Sequence, residues 1–596
     1  MSRGRGTTAV TLLAKGEQSR VNGANGRDSA GTAFPRAAQE VGYRAVDHIV
    51  DSLSGLGVRQ VFGVIGGAIA PLADAIGRSH LRFTHFRHEA GAAFAGVEAS
   101  LLSGEPVAVI TTTGPGLLNA INGAAAGRWD GARLLFISAV SGAQHQGRLP
   151  VQESSPFTMP GDLYRSGPLF DEAAVLHDIR QWPDIERRFA IGLTRPQGFV
   201  AHVGLPTPLQ SLAVSRRMQN VSLHVADTRS SVSSVPEVVE ALSREPFAIW
   251  VGYGARRAHR GIRDLAEKSK APVMCTPRGK GIFPESHPLF IGVTGAGGHE
   301  TAARFMTERL PQRVLVLGTR LGEASSSWDR RLIPERGLIH IDVDRGAFGK
   351  AFPGAETLGV QADVGSFIDS ILPSLPERRA TPTPSLPPPF PEPTLPESGR
   401  SPVRMSALFS AIQRYVVDGS DAVVLTESGN AFGFGNHLLK FDVPDRYRTS
   451  AAWGSMGHMT CGVIGAVLAR NLPAVAIVGD GAMLMNNEIN TAVQEDLPAV
   501  WIILNDSGFG IVRDGMAGLG LKATKCDIPT VDFAMLARSM GASGMTVIRE
   551  DELEDGLTRA LSSGGPFVLD VRIGREISPA IAGRVQLLLN QQSATT

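Results

Sequence analysis

Two short polar motifs near the carboxyl end of the chain each follow an apolar run that reads as a strand. Gly479-Asp480-Gly481 follows AVAIV, and Asn505-Asp506 follows WIIL. A carboxylate at the carboxyl end of a parallel strand lies in the crevice where open α/β sheets bind ligands, and glycines let a ligand approach the backbone. Mg²⁺ takes oxygen ligands and bridges carboxylates to phosphate oxygens. The motifs together predict that Asp480 and Asp506 share one Mg²⁺, whereas each motif alone favours an ordinary tight turn.

A second candidate is Glu89, in the segment RHEAGAAFAGVEASLLSG. The pair His88-Glu89 suggests a zinc protease, but the second histidine of an HExxH motif is missing, so that class is excluded. Glu89 opens a predicted helix of small residues, where the helix dipole stabilises a carboxylate in the first turn. Taken alone, the position favours a solvated carboxylate over a catalytic one.

Elements that could position these residues recur along the whole chain. Short β-branched runs alternate with glycine turns and helix-like stretches, which is typical of βαβ units. A proline-rich segment with eleven prolines, 373–402, predicts an extended connector, and the polar segment 227–236 predicts a linker. We therefore predict an α/β protein with three doubly wound parallel-sheet domains, at 41–210, 236–372 and 403–575. Residues 1–40 are predicted to be a disordered tail, with a transit peptide as the alternative.

The first and third of these stretches resemble each other. PVAVITTTGPGLLNAINGAAAGRWDGARLLFISA and PAVAIVGDGAMLMNNEINTAVQEDLPAVWIILND both read as strand, glycine turn, small-residue helix and strand. Either the two domains are related and pair with each other, or two βαβ units are alike by chance.

Composition excludes several classes of function. The 596 residues carry a net charge of +1, so no overall field draws the chain to nucleic acid or to anionic lipid. No apolar run reaches the length of a membrane span. The three cysteines are Cys275, Cys461 and Cys526, and their wide spacing indicates neither a disulfide framework nor a structural zinc site. We expect a soluble protein of the reducing cytoplasm.

The segment from Gly479 to Asp506 resembles the thiamine diphosphate fingerprint, which opens with GDG and ends with NN. The resemblance implies that Asp480, Asp506 and the main-chain carbonyl of Gly508 bind the Mg²⁺ that holds the cofactor's diphosphate. Two departures stand out, because the second Asn is Asp506 and the interval is about one residue short. The resemblance also implies that Glu89 hydrogen-bonds N1′ of the cofactor's aminopyrimidine.

The similarity is densest to acetolactate synthase and runs from about Val41 to Ile573. It implies three domains in the order pyrimidine-binding, central and diphosphate-binding. GSMGHMTCGVIGAVLA resembles the segment whose methionine wedges the cofactor into a bent shape, which makes Met456 the wedge candidate, a core methionine being the alternative. Gln152 matches a glutamine near the reacting carbons. The cofactor-binding residues that the resemblance implies are Gly66, Gly67, Gly114, Pro115, Gly116, Asn119, Gly454, Met456, Gly479 and Gly481.

Two positions distinguish the chain from acetolactate synthases. A phenylalanine and a tryptophan that shape the family's pocket for small 2-oxo acids are replaced here by Val151 and, in an ungapped alignment, Gly515. Both changes remove aromatic bulk, so we expect a substrate larger than pyruvate, unless neighbouring residues refill the space or the alignment slips. The central domain resembles one that carries FAD, but Arg278 replaces an expected methionine and no GxGxxG follows a strand, so FAD is left open.

The resemblance implies decarboxylative carboligation of 2-oxo acids by a homodimer or homotetramer with active sites between chains. The alternatives are a non-ligating 2-oxo acid decarboxylase, a flavin-linked 2-oxo acid oxidase and, from another class, a non-catalytic paralogue.

Overall fold

Three six-stranded sheets organise the chain in the computed structural model, which describes residues 42–215, 235–309, 311–378, 388–450 and 452–593. Every strand pair in the three sheets is parallel. The predicted α/β class with three parallel sheets is confirmed. The tail expected at 1–40 and most of the linker expected at 227–236 lie outside the described residues.

The first sheet has the strand order β2-β1-β3-β4-β6-β5. Its two central strands, the third and the fourth, are buried at every position except Arg133, as expected for parallel strands covered on both faces. The strands are β1 (Gln60–Gly63), β2 (Arg82–His85), β3 (Val107–Thr111), β4 (Arg133–Val140), β5 (Glu172–Val175) and β6 (Phe199–Pro206). The helices are α1 (Ala45–Gly55), α2 (Ala70–Gly77), α3 (Glu89–Ser103), α4 (Gly114–Asp130), α5 (Trp182–Leu193) and α6 (Thr207–Gln210).

The central sheet has the order β12-β11-β10-β7-β8-β9. The strand order reverses between β7 and β10, because β8 and β9 follow β7 on one side and β10 to β12 lie on the other. Its strands are β7 (Phe247–Val251), β8 (Val273–Cys275), β9 (Phe290–Val293), β10 (Arg313–Leu317), β11 (Leu338–Asp342) and β12 (Thr357–Gln361). Its helices are α7 (Val235–Arg244), α8 (His259–Ser269), α9 (Glu300–Arg309), α10 (Glu323–Ser326) and α11 (Val364–Ile371).

The third sheet has the order β14-β13-β15-β16-β18-β17. Its strands are β13 (Val423–Thr426), β14 (Tyr447–Thr449), β15 (Ala474–Gly479), β16 (Ala499–Asn505), β17 (Ser543–Val547) and β18 (Phe567–Arg572). The helices are α12 (Met405–Ile412), α13 (Asn430–Leu438), α14 (His458–Arg470), α15 (Asp480–Met485), α16 (Ile489–Gln494), α17 (Gly510–Gly518), α18 (Phe533–Ser539), α19 (Leu553–Ser562) and α20 (Ile581–Ser593). Counted from its own first strand, this order is the order of the first sheet.

The two segments that echo each other in sequence occupy equivalent places in these sheets. One supplies β3 and β4, and the other supplies β15 and β16, which are the third and fourth strands of their respective sheets. The shared topology favours two related domains over chance similarity.

Helices α3 and α14 join the first and third sheets through one apolar core. Both helices are rich in glycine and alanine, so their backbones approach closely: a Cβ added to Gly465 would lie 1.9 Å from the carbonyl oxygen of Ala95. The described parts of the proline-rich segment are 373–378 and 388–402; a 3₁₀ turn, Leu372–Ser374, ends in the first, and the second contains no helix or strand. Within it, Phe390 stacks on Phe290 of the central domain with ring centroids 6.2 Å apart. Among the described residues, no helix combines the length and apolar character needed to cross a bilayer.

Candidate active site

Asp480 lies at the carboxyl end of β15, as its motif predicted. Asp506 follows the neighbouring strand, β16. Strands β15 and β16 are adjacent and parallel, so their carboxyl ends meet at one edge of the sheet. The Asp480 side chain is 2% exposed. Its carboxylate accepts hydrogen bonds from the backbone N–H of Gly481 at 2.7 Å and of Gly508 at 3.1 Å. Burial, and then the negative charge of Asp506, raise the pKa of Asp480 to about 6.

Asp506 departs from the NN ending of the fingerprint, and the structure shows what balances its charge. Arg513, near the start of α17, donates from Nη2 to Asp506 Oδ2 at 3.0 Å. The extra negative charge is therefore paired within the same loop and helix. Two neighbouring carboxylates, with the carbonyl oxygen of Gly508 in the same loop, are oxygen ligands of the kind that a hard divalent cation such as Mg²⁺ prefers.

Two half-buried asparagines of the third domain each have a buried polar atom that lacks a hydrogen-bond partner within the described part of the chain, Asn430 Oδ1 and Asn486 Nδ2. Asn430 and Asp506 converge on Gly510, since a Cβ there would lie 2.7 Å from Asn430 Nδ2 and 3.2 Å from Asp506 Oδ2. Buried polar atoms normally have partners, so the orphaned atom of Asn430 fits a polar group bound beside Asp506. Gly479 leaves space, because an added Cβ there would meet no atom within 4 Å. Gly481 packs on Phe509, whose ring a Cβ would approach to 2.5 Å.

Gly454 and Met456 lie in the segment that precedes α14. Gly454 has a φ of 67°, which favours glycine, and its N–H donates to the carbonyl of Ser450 at 3.0 Å. Met456 is partly exposed in a turn before the helix begins at His458. The alternative of a methionine in a helix core is therefore wrong, and the wedge role stays a prediction.

Glu89 is the first residue of α3 and is 8% exposed, so it is not the solvated carboxylate that its position alone favoured. Asn119, from α4, donates to Glu89 Oε2 at 3.0 Å. A Cβ on Gly116 would lie 2.9 Å from Glu89 Oε1, so glycine is needed there for the carboxylate to approach the helix. Helices α3 and α4 thus bring together the motif residues Glu89, Gly116 and Asn119.

The other predicted residues of the first domain surround this convergence. Gly114 and Pro115 form the first turn of α4. Gly66 precedes a short 3₁₀ turn that begins at Gly67, and a Cβ on Gly66 would meet the Thr112 side chain at 2.6 Å. Thr113, which precedes α4, donates from its hydroxyl to Gln152 Oε1 at 2.8 Å. Gln152 is thereby tied to the loop that begins α4.

The two expected pocket positions lie in different domains. Val151 belongs to a loop of the first domain and is 93% exposed. Gly515 lies in α17, where an added Cβ would be 3.9 Å from Ile581 Cδ1 of α20. The C-terminal helix thus borders position 515, a neighbour that the alignment did not reveal.

A crevice of about 2150 Å³ opens at the carboxyl ends of β7 and β10 and reaches Gly454. This is the point where the strand order reverses, the usual ligand crevice of an open sheet. Arg278 lies in it, with its guanidinium 3.1 Å from Asp130 Oδ1 and 4.4 Å above the Tyr253 ring. Arg278 therefore bridges the central domain to α4.

Comparison with known proteins identifies the family. The family model "Thiamine pyrophosphate enzyme, N-terminal TPP binding domain" matches residues 43–159. The central-domain model of the same family matches 237–371, and its C-terminal TPP-binding model matches 427–571. The chain belongs to the thiamine pyrophosphate enzymes.

Relatives of this family match along nearly the whole chain. The large subunit of acetolactate synthase isozyme 1 of Escherichia coli strain K12 is 25% identical over 563 residues, which cover 92% of this chain and 96% of that protein. A "probable 2-ketoarginine decarboxylase" of Pseudomonas aeruginosa is 27% identical over 551 residues, which cover 88% and 93%. The thiamine diphosphate-dependent 4-hydroxybenzoylformate decarboxylase of Rhodococcus jostii RHA1 shares the fold, with a TM-score of 0.78, 21% identity and coverage of 90% and 100%.

This thiamine pyrophosphate enzyme holds functional candidates that the sequence reasoning missed. Arg513 and Asn430 lie beside Asp506 only through the tertiary structure, and Asn486 has a buried amide nitrogen without a partner in the described part of the chain. A lone arginine or asparagine carries no motif, although Asn486 lies within the GDG-to-ND interval. Glu488 in the same interval was also missed, and it is treated below.

Proposed function

We propose that the protein catalyses decarboxylative carboligation of 2-oxo acids with thiamine diphosphate and Mg²⁺, giving an acyloin or an acetohydroxy acid. The observation that carries this proposal is the pairing of two sites in one chain: buried, neighbouring Asp480 and Asp506, and buried Glu89 held by Asn119. The match to an acetolactate synthase large subunit over 92% of the chain supports carboligation. The match to a 2-ketoarginine decarboxylase supports the second candidate, decarboxylation without ligation.

In this proposal the third domain holds the cofactor's diphosphate. Asp480, Asp506 and the carbonyl of Gly508 would bind Mg²⁺, and the Nδ2 donor of Asn486 would be available to a phosphate oxygen. Gly454 and Met456 would contact the middle of the cofactor. When bound, thiamine diphosphate supplies the nucleophile and the electron sink that decarboxylation of a 2-oxo acid requires.

In the first domain, Glu89 hydrogen-bonds the pyrimidine ring and moves the proton that activates the cofactor. Its burial keeps water from competing for that hydrogen bond. Asn119 orients the carboxylate through its Oε2, which leaves Oε1 for the ring. Gln152, fixed by Thr113, orients the substrate beside the reacting atoms.

Each active site combines the Glu89 half of one chain with the Asp480 half of another, in a homodimer or in a homotetramer built from it. Each carboxylate is held by its own domain, Glu89 by Asn119 and Asp480 by Gly481 and Gly508. Large apolar side chains of both domains are exposed in the single chain, as expected for surfaces that a second copy covers. They are Leu118, Leu149, Val151 and Phe157 in the first domain, and Leu484, Met485 and Val512 in the third.

The preferred substrates include 2-oxo acids with a side chain larger than that of pyruvate, such as an aromatic one. Val151 and Gly515 leave open the volume that two aromatic rings occupy in acetolactate synthases, and Ile581 borders only one of the two positions. This substrate preference applies equally to a carboligase and to a decarboxylase.

The deciding experiment measures CO₂ release from 2-oxo acids, offered singly and in pairs, with products identified by mass spectrometry. We expect an acyloin or acetohydroxy acid product, and phenylpyruvate or indolepyruvate should compete successfully with pyruvate. An aldehyde as the sole product would establish the decarboxylase instead. Bound cofactor without CO₂ release from any acid would establish a non-catalytic paralogue. A clear preference for pyruvate in both roles would overturn the pocket argument.

The role of Glu89 is testable separately, by exchange of the bound cofactor's C2 proton for deuterium. We expect Glu89→Gln to bind the cofactor but to exchange this proton about 10²- to 10⁴-fold more slowly, the usual contribution of a positioned acid or base. NMR measures the exchange rate, and a rate equal to that of the parent enzyme would refute the assignment.

A further inference from the structure

Glu488 is a fully buried carboxylate that no step described so far uses. It lies between α15, which begins at Asp480, and α16, which begins at Ile489. Burial raises the pKa of Glu488, because removing a carboxylate from water disfavours its charged form. A buried acid of this kind is retained only where hydrogen bonds compensate for its lost hydration.

The compensating donors come from the other domain. The backbone N–H of Arg87 donates to Glu488 Oε2 at 3.0 Å, and the backbone N–H of His88 donates to Oε1 at 3.1 Å. The hydroxyl of Thr491, in α16, also donates to Oε2. Both carboxylate oxygens are therefore used, and each receives one of two successive backbone amides.

Those two amides immediately precede Glu89. His88 caps α3, its ring nitrogen accepting from the N–H of Ala90, and Glu89 is the next residue. The Arg87 side chain fixes the same turn, because it donates to Asn490 at 2.7 Å and to Gln494 at 2.6 Å. The turn that delivers Glu89 is thus held from the third domain as well as by its own sheet, in which the N–H of Phe86 donates to the carbonyl of Gly63.

The first domain leaves room for this contact. A Cβ added to Gly91, in the first turn of α3, would lie 2.3 Å from Glu488 Oε1. The glycine is not required by its φ, so the approach of the Glu488 carboxylate explains why no side chain is present there. Gly91 and Glu488 form one complementary contact.

We propose that Glu488 is a positioning residue for Glu89: its carboxylate anchors the Arg87-His88 turn and thereby sets where the Glu89 carboxylate lies. This inference rests on the proposed role of Glu89. One continuous segment of the third domain begins at Asp480, the proposed metal ligand, and ends at Glu488. Glu488 in turn binds the turn that precedes Glu89, the proposed proton-transferring residue of the same chain. A misplacement of about 1 Å far from the chemistry can cost about 100-fold in rate, so a shifted turn is enough to impair proton transfer.

The test compares C2 proton exchange of the bound cofactor in the holoenzyme of three variants. Glu488→Gln keeps the shape of the side chain but turns an NH₂ group toward one of the two backbone donors. We expect it to slow exchange about 10- to 100-fold while cofactor affinity stays at the parent value. Gly91→Ala, which displaces the same carboxylate from the other side, should slow exchange to a similar degree. Glu495→Gln is the matched control, because Glu495 follows the same helix and pairs across the domains with Arg82 at 3.6 Å, away from α3.

Combining the two changes separates positioning from general damage. Because both act on one contact, Glu488→Gln with Gly91→Ala should slow exchange little more than either change alone. Parental exchange in Glu488→Gln would overturn the proposal. So would slowing that is fully accounted for by loss of bound cofactor, or equal slowing in Glu495→Gln.

Glu89→Gln is measured in the same series. If it exchanges at the parental rate, the proposed function of Glu89 fails and the positioning role fails with it. If Glu89→Gln slows exchange and Glu488→Gln does not, only the positioning role is overturned.

Discussion

At the scale of single residues, the proposed metal site shows how a change of charge is balanced. Asp506 stands where the fingerprint has Asn, and Arg513 pairs with it at 3.0 Å. The guanidinium offsets the added charge without removing the carboxylate from the edge where Asp480 lies. If position 506 supplies a metal ligand as proposed, the site needs its oxygen atom more than its charge.

This argument predicts opposite outcomes for two substitutions. Asp480→Ala should lose Mg²⁺-dependent cofactor retention, because the diphosphate would lose its cation. Asp506→Asn should keep it, since the amide oxygen is also a ligand. Cofactor content after gel filtration, with and without EDTA, measures both. Full retention by Asp480→Ala in EDTA would remove Asp480 from the ligand set.

A second prediction at this scale concerns substrate size. Val151→Phe restores aromatic bulk beside Gln152, so the preference for phenylpyruvate over pyruvate in kcat/KM should fall about tenfold, as expected when a pocket loses volume. Leu149→Phe is the matched control, because Leu149 is exposed in the same loop. An unchanged ratio in Val151→Phe would show that position 151 does not border the substrate.

At the scale of elements, the contact of α3 with α14 fixes the first domain against the third. Side chains at the crossing are small, and Gly465 places its Cα against the Ala95 backbone. Packing this close leaves no room for adjustment, because backbone atoms cannot rotate away as a side chain can. The same helix α3 presents Glu89, so the packing also determines where that carboxylate lies.

We expect Gly465→Ala to lower the midpoint of thermal unfolding by several degrees, since overpacking a core costs about 1–3 kcal/mol. Gly77→Ala is the control, because a Cβ there meets no atom within 4 Å and alanine favours the helix. Differential scanning calorimetry compares the two. Equal midpoints for Gly465→Ala and the parent would mean that α3 and α14 move apart to accept the methyl group at little cost in free energy.

At the scale of the whole molecule, the first and third domains repeat one topology around the α3–α14 core. Each carries one half of the proposed site, Glu89 in one and Asp480 in the other. A second copy related by a two-fold axis would bring unlike halves together twice, giving two sites per dimer.

Complementation tests this arrangement. Glu89→Gln and Asp480→Ala chains should each be nearly inactive alone. When the two chains are co-expressed in equal amounts, half of the dimers are mixed. Each mixed dimer has one intact site and one doubly altered site, so activity should return to about a quarter of the parent value. If both halves of a site came from one chain, the mixture would stay as inactive as its components.

Local patterns in the sequence were sufficient for the fold class and for much of the site. Parallel strands buried on both faces read as apolar runs, and the turns that follow them hold Asp480 and Asp506, so motif position alone placed both at one edge. The GPG and HEAG motifs likewise indicated α4 and α3. These features depend on neighbours within a few residues, which is why sequence periodicity reveals them.

The tertiary structure decided what depends on contacts between distant segments. The burial of Glu89, the pairing of Asp506 with Arg513 and the exposed turn of Met456 follow from packing that no local spacing encodes. Glu488 shows this most clearly, because the backbone amides that it binds lie 400 and 401 residues earlier in the chain. Its sequence neighbourhood reads as the start of an ordinary surface helix, and only the docking of α3 on the third domain makes it a buried acceptor for the turn before Glu89.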